Sequence, residues 1–168
     1  MDVRTAIEVR KSVRSYLDTP IEEEKLALVM EAVRLAPTAS NAQEQKVVVV
    51  QDAALREKLA EACRNQKMVA EAPVVLVVCA NNQRMMPCEQ PAHTVDASIV
   101  ASFIMLQATE LGLSTCWLGA FFTDQVRPLL NVPEEYAIVA VMPIGYAAAE
   151  GRERDRKDLV EFFVEDTF

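Results

Sequence analysis

The 168-residue chain has one histidine and none of the short motifs that mark the common hydrolases and nucleotide binders. It contains no Gly-x-Gly-x-x-Gly, no Walker loop, no Gly-x-Ser-x-Gly and no His-Glu-x-x-His, so hydrolytic catalysis lacks its usual residues. No apolar run approaches the roughly 18 residues a membrane helix needs, and Met1 is followed at once by Asp2 and Arg4, which leaves no signal-peptide apolar core. The expectation is a soluble cytoplasmic protein with no membrane partner. Cys63, Cys79, Cys88 and Cys116 form no Cys-x-x-Cys pair, and their spacings of 16, 9 and 28 read as reduced thiols, with Cys79 and Cys116 in the core. Cys88 and His93 are two candidate metal ligands, short of the usual zinc set, and no metal is expected. A basic excess is also missing. The net charge of −8, from 25 acidic against 17 basic side chains, argues against nucleic acid as a partner.

What is present reads as one globular domain spanning 1–168. Apolar residues make up 51% and charged residues 25%, and a chain of this length buries roughly two-thirds of its unfolded surface. Repeats and low-complexity linkers are absent.

Helical spacing of Val3, Ala6 and Ile7 predicts a short helix over Asp2 to Arg10. Thr19, Pro20, Ile21 and Glu22 read as an N-cap with Pro at the first helical position, opening an amphipathic helix that stops before Pro37. Pro37 to Gln43 is a loop of small and amide residues able to present N–H groups and hydroxyls. Val47 to Val50 predict a strand covered on both faces, and Asp52 an N-cap for a helix with Leu55, Leu59 and Cys63 on one face. Pro73 opens a second buried strand, Val74 to Cys79, followed by an irregular stretch, Asn81 to Pro91. Asp96 to Leu111 is apolar nearly all round, so this helix is expected inside protein, with part of its surface against a second subunit and Gly112 ending it. Thr115 to Leu118 predict a third strand, Thr123 or Asp124 the cap of a short helix to Leu130, and Tyr136 to Gly145 a fourth strand. The tail, with Leu159, Val160, Phe162, Phe163, Val164 and Phe168, is too apolar to hang free and should dock on its own core or on a partner.

Three patches carry candidate chemistry. Arg10 and Arg14 flank Ser12, beside Lys11, and share a face whether the segment is helical or extended; guanidinium forks and a hydroxyl then converge on an anion, or the patch is a solvated basic face. Arg154 and Arg156 have the same two readings, with Glu153 and Asp155 as possible salt-bridge partners. Gly119 and Ala120, after a buried strand, leave a ligand free to approach the backbone, or form an ordinary turn.

In order and spacing these residues resemble the FMN-dependent nitroreductases along nearly the whole chain, as a short member. The resemblance rests on Arg10 to Arg14, Ala36 to Gln43, Glu71-Ala72-Pro73, Leu111 to Phe121, Pro143-Ile144-Gly145-Tyr146, and Arg154 with Arg156. It implies an α+β fold, a central mostly antiparallel sheet flanked by helices, in an intertwined homodimer with FMN at the interface. The helix around Ile99 to Leu111 would form much of that interface, and the tail would wrap onto the partner. Carried over by position, Arg10 and Ser12 with Arg154 and Arg156 bind the FMN phosphate, Lys11 is a further cofactor-binding residue, and Arg14 reaches the pyrimidine edge of the flavin. Pro37, Thr38, Ala39, Ser40 and Asn41 come from the other subunit, Trp117, Leu118, Gly119 and Ala120 cover the opposite face, and Lys67 meets the polar edge. No side chain is catalytic: a backbone N–H of Gly119 or Ala120 points toward flavin N5. The implied activity is ping-pong hydride transfer from NADH or NADPH to a small-molecule acceptor such as a nitroaromatic or quinone. Dehalogenation or enone reduction on the same fold, and a flavin carrier or sensor without turnover, are the alternatives. The chain departs from the family at Glu44 and Gln45, where Pro and Trp are common, and in a short Ala80 to Val95 segment, which larger members use to cover substrate.

Overall fold

A computed structural model describes residues 1–81 and 83–168. Its helices are α1 (Val3–Val9), α2 (Glu23–Leu35), α3 (Ala53–Ala62), α4 (Lys67–Glu71), α5 (Ala92–Glu110) and α6 (Thr123–Leu129), with strands β1 (Gln45–Val50), β2 (Val74–Ala80), β3 (Ser114–Thr115) and β4 (Ala137–Gly145). The sheet runs β1-β2-β4-β3 and each of those neighbouring pairs is antiparallel, which makes the fold α+β as expected.

Strand β2 organises the interior. All seven of its residues are buried, because alternate side chains feed different cores. Val75, Val77 and Cys79 pack with α3, α4 and α6 through Leu59, Val69 and Val126. Val74, Leu76 and Val78 pack with α2 and α5 through Val29, Val100, Ile104 and Ala108. Three layers result, with the sheet in the middle.

Local signals place most boundaries. Asp2 accepts the Thr5 N–H at 2.8 Å and so caps α1, and Asp52 does the same for α3 with the Leu55 N–H at 2.8 Å. Gly112, at φ +74°, ends α5, and the Leu113 N–H turns back to the Ala108 carbonyl at 2.8 Å. Cys79 and Cys116 are core residues, as is Cys63, while Cys88 is exposed.

Several expectations are corrected or narrowed. Helix α2 begins at Glu23 with no side-chain cap, so Thr19 does not start it; its first turn is held by the Tyr146 hydroxyl, which donates to Glu22 Oε2 at 2.6 Å and accepts from Lys25 Nζ at 2.6 Å. Strand β1 lies at the sheet edge and pairs only with β2, which leaves Val49 exposed and Val47 and Val48 half-buried rather than covered on both faces. Neither Thr123 nor Asp124 caps α6: Phe122 holds that position, its N–H tied to the Ala62 carbonyl at 2.9 Å. Helix α5 starts at Ala92 rather than about Asp96; Ala97, Val100, Ala101, Ile104 and Ala108 face the core, while Phe103 is exposed and Ile99 and Leu106 are half-buried, on the part of its surface expected against a second subunit. Of the two dockings expected for the tail, the one on its own core is not formed, for Leu159, Val160, Phe162, Phe163, Val164 and Phe168 are all exposed; a partner is the other.

The third strand is shorter than expected: β3 covers Ser114–Thr115, and Leu118 joins the sheet separately through a bridge to Val141. Helix α4 carries no signal in the sequence pattern; it is five residues long and is held by the Arg56 guanidinium, which donates to the Ala70 carbonyl at 2.7 Å and to that of Ala72.

Candidate functional site

The chain leaves α1 at Arg10 and runs beside β3, so that Ser12 bridges Thr115 in parallel and the Val13 N–H donates to the Thr115 carbonyl at 3.0 Å. This extended path alternates side chains: Val13 is buried, Arg14 is exposed, and Tyr16 is buried with its hydroxyl on the carbonyls of Val13 at 2.9 Å and Pro143 at 3.2 Å. Lys11 and Ser12 are half-buried.

The C-terminal segment folds back onto the same place. Gly151 lies so close that a Cβ there would be 2.8 Å from Lys11 Cβ and 3.1 Å from the Ser12 carbonyl oxygen. Arg154 then donates to the carbonyls of Glu8 at 2.9 Å and Ile7 at 3.4 Å, at the C-terminal end of α1, where such carbonyls lack helical partners. Burial, and after it the charges of Arg154 and Arg156, hold Arg10 below the ordinary arginine pKa. Three guanidinium groups are therefore close enough to repel.

None of Arg10, Lys11, Arg14, Arg154 and Arg156 forms a salt bridge among the described residues, and Glu153 and Asp155 do not pair with their neighbours. In a chain of net charge −8, a cluster of cations that form no salt bridge, although Glu8, Glu150 and Glu153 stand nearby, fits an anion. Two cavities open beside it. One, of about 460 Å³, is lined by Arg10, Lys11, Ser114 and Gly151, with Glu8 and Glu150, among others; the second, of about 470 Å³, by Ile7, Glu8, Lys11, Glu153, Arg154 and Arg156.

Past β3 the same strip continues. Cys116 is buried, and its thiol pKa is pushed up by that burial and partly drawn back by Arg14 and Arg10, which places both arginines near it. Trp117 packs on the α5 side of the sheet; Leu118 is buried, exchanging hydrogen bonds with Val141 at 2.9 and 3.1 Å. Gly119 and Ala120 emerge exposed, and among the described residues neither N–H has a hydrogen-bond acceptor. Gln66 Nε2 donates to the Ala120 carbonyl at 3.3 Å, which brings the neighbouring Lys67, exposed at the start of α4, to this turn.

The loop Pro37–Asn41 is elsewhere. It forms a short turn at Ala39–Asn41 with Ser40 and Asn41 at φ 55° and 54°, and the Ala39 N–H donates to Asp96 Oδ1 at 2.8 Å. Asp96 lies near the start of α5, whereas the cavity beside Arg10 reaches Thr109 near its end. At 1.5 Å per residue the two are about 20 Å apart. One chain thus gathers Arg10, Lys11, Ser12, Arg14, Cys116 to Ala120, Lys67, Arg154 and Arg156, and leaves Pro37, Thr38, Ala39, Ser40 and Asn41 at the other end of α5. Gln66, Gly151 and Asp96 were not legible as site residues; of these only Asp96, a lone acid in an apolar helical run, carries a sequence signal.

The Nitroreductase family model matches residues 7–69 and 61–146. An NADH dehydrogenase of Thermus thermophilus is 31% identical over 183 residues, covering 90% of this chain and 89% of that protein. The structure of a nitroreductase family protein from Clostridium difficile 630 matches with a TM-score of 0.89 at 29% identity, covering 100% of both chains. An FMN-dependent nitroreductase from Clostridium difficile R20291 matches with a TM-score of 0.83 at 28% identity, covering 97% of this chain and 98% of that one. With the family model spanning Arg10 to Arg14 and the Gly119 turn, the chain belongs to the nitroreductase family.

Proposed function

We propose that the protein is an FMN-dependent NAD(P)H oxidoreductase, reducing nitroaromatic, quinone or related acceptors, with FMN at the seam of a homodimer. The observation that carries this reading is the group of guanidinium side chains that form no salt bridge among the described residues, on the same strip as two open N–H donors. A phosphate-bearing planar cofactor matches both ends of that strip.

Bound there, FMN would supply the redox chemistry, taking a hydride from NADH or NADPH and passing the electrons to the acceptor in a ping-pong cycle. Arg10, Lys11, Ser12, Arg154 and Arg156 hold the phosphate. Arg154 is pre-set by its two carbonyl bonds, so less side-chain freedom is lost on binding. Arg14, exposed and tethered only weakly to the Ser12 carbonyl at 3.5 Å, is free to reach the pyrimidine edge and stabilise negative charge there. The Gly119 or Ala120 N–H meets the N5 edge; Gly119 has open space where a side chain would stand, so the backbone can approach the ring. Trp117 and Leu118 close one side, Leu118 through its backbone because its side chain is buried. Lys67 sits at the polar rim. Pro37, Thr38, Ala39, Ser40 and Asn41 come from the partner, which the separation along α5 favours.

The purified protein is expected to be yellow or to take up added FMN, and to bleach when mixed anaerobically with NADH or NADPH. A colourless protein that does not bind FMN overturns the proposal. Binding without bleaching replaces it with a flavin carrier. Arg14→Ala is expected to weaken FMN binding and slow bleaching; unchanged affinity and rate would remove that residue from the site.

A further inference from the structure

Asp96 is the only acidic side chain among the buried residues described, at 3% exposure, in a helix whose inward face is otherwise alanine, valine and isoleucine. Burying a carboxylate is unfavourable unless it is hydrogen-bonded, and an apolar residue at this position would serve packing better. Its carboxylate accepts from a backbone group outside the helix, the Ala39 N–H at 2.8 Å. The other side of the same residue is held too: Arg84 Nη2 donates to the Ala39 carbonyl at 3.1 Å. Ala39 is thus gripped at both its N–H and its C=O.

The loop so gripped is one that would not keep its shape unaided. Ser40, Asn41 and Gln43 lie at φ 55°, 54° and 55°, a region that residues with a Cβ adopt at a cost. Inside the loop, Thr38 Oγ1 accepts the Gln43 N–H at 3.1 Å and the Asn41 carbonyl accepts from Gln43 Nε2 at 3.2 Å. Arg84 belongs to the short segment between β2 and α5, so the two loops meet at Ala39.

We propose that Asp96 is a positioning residue. From within α5 it fixes Pro37 to Asn41 in the strained form that lines the flavin of the partner subunit, with Arg84 as the second half of the clamp. This rests on the flavin reading given above. Asp96 touches neither flavin nor substrate; it acts through the Ala39 peptide.

The test compares wild-type protein with Asp96→Ala, Asp96→Asn and Arg84→Ala. Hydrogen exchange of the Thr38–Gln43 amides is measured on protein stripped of flavin, and FMN affinity and the visible band of bound FMN on the reloaded protein. Asp96→Ala is expected to speed exchange in that loop alone, to weaken FMN binding about tenfold and to blur the fine structure of the flavin band. Asp96→Asn keeps an acceptor oxygen for the Ala39 N–H and is expected to restore most of both. Wild-type exchange and affinity in Asp96→Ala overturn the proposal, as does an Asp96→Asn protein no better than the alanine variant. Should Asp96→Ala not fold, the exposed Arg84 carries the test, since its removal spares the core and is expected to act in the same direction; wild-type behaviour of Arg84→Ala would then overturn the clamp. If wild-type protein binds no FMN, the flavin reading fails by itself, while the exchange comparison still reports on the clamp.

Discussion

Arg10 is held where a cation is least comfortable, half-buried and beside two more guanidinium groups. A bound dianion removes that repulsion, so Arg10→Ala is expected to weaken FMN binding by about 1.5–3 kcal/mol, roughly ten- to a hundredfold in Kd, in a fluorescence titration at fixed salt. The same variant should unfold at the wild-type temperature or above when no flavin is present, because like charges are separated. The thiols offer a second prediction. Cys63, Cys79 and Cys116 are buried and only Cys88 is exposed, so a thiol reagent should consume one thiol per native chain and four after denaturation. Burial pushes the Cys63 and Cys79 thiols from 9.0 up to about 11. The folded chain then holds these protons more tightly than the unfolded chain, so stability should fall as pH rises from about 9 through 11, seen as a declining urea midpoint; Cys63→Ala should flatten that decline. The identities of Arg10, Arg14, Arg154 and Arg156 were legible at once from the sequence, but their convergence was not, since each pair alone reads equally well as solvated surface.

At the scale of elements, α5 carries the most weight. Its inner face closes the core through Val100, Ile104 and Ala108, and the buried Asp96 near its start reaches out to the Ala39 loop. Its end depends on Gly112 at φ +74°, and Gly112→Ala should cost about 1 kcal/mol in chemical denaturation, for want of a conformation open to other residues. Asp52→Ala should cost α3 a similar amount, about 1 kcal/mol, by orphaning the Leu55 N–H. Elements with a local code were readable: the Asp52 cap, the Gly112 stop, the Pro73-led strand. Those without one were missed. Helix α4 is too short for a periodic signal and is held by Arg56 from another helix. The Thr19-Pro20 cap pattern lost to a tertiary contact, because the Tyr146 hydroxyl between Glu22 and Lys25 fixes the first turn of α2.

For the whole molecule, the exposed apolar surface is the dominant fact. Phe103 on α5, Val3 and Ile7 on α1, and the tail residues Leu159, Phe162 and Phe163 are all exposed, which fits an interface with a second chain. We expect a dimer by sedimentation; the double substitution Phe162→Glu with Phe163→Glu should shift it toward monomer and lower FMN affinity together, whereas a monomeric wild-type protein that still binds FMN would separate the cofactor from the interface. By itself the sequence determined the succession of most helices and strands, the buried strand after Pro73, the Gly119 turn and the cations, because periodicity, caps and charge are properties of neighbouring residues. Only the tertiary structure decided which of these share a site. Folding the C-terminal segment onto Lys11 through Gly151 brings Arg154 to Arg10, and the length of α5 keeps Pro37 to Asn41 about 20 Å away. Proximity between residues 140 positions apart depends on packing across the whole domain, which no local pattern encodes.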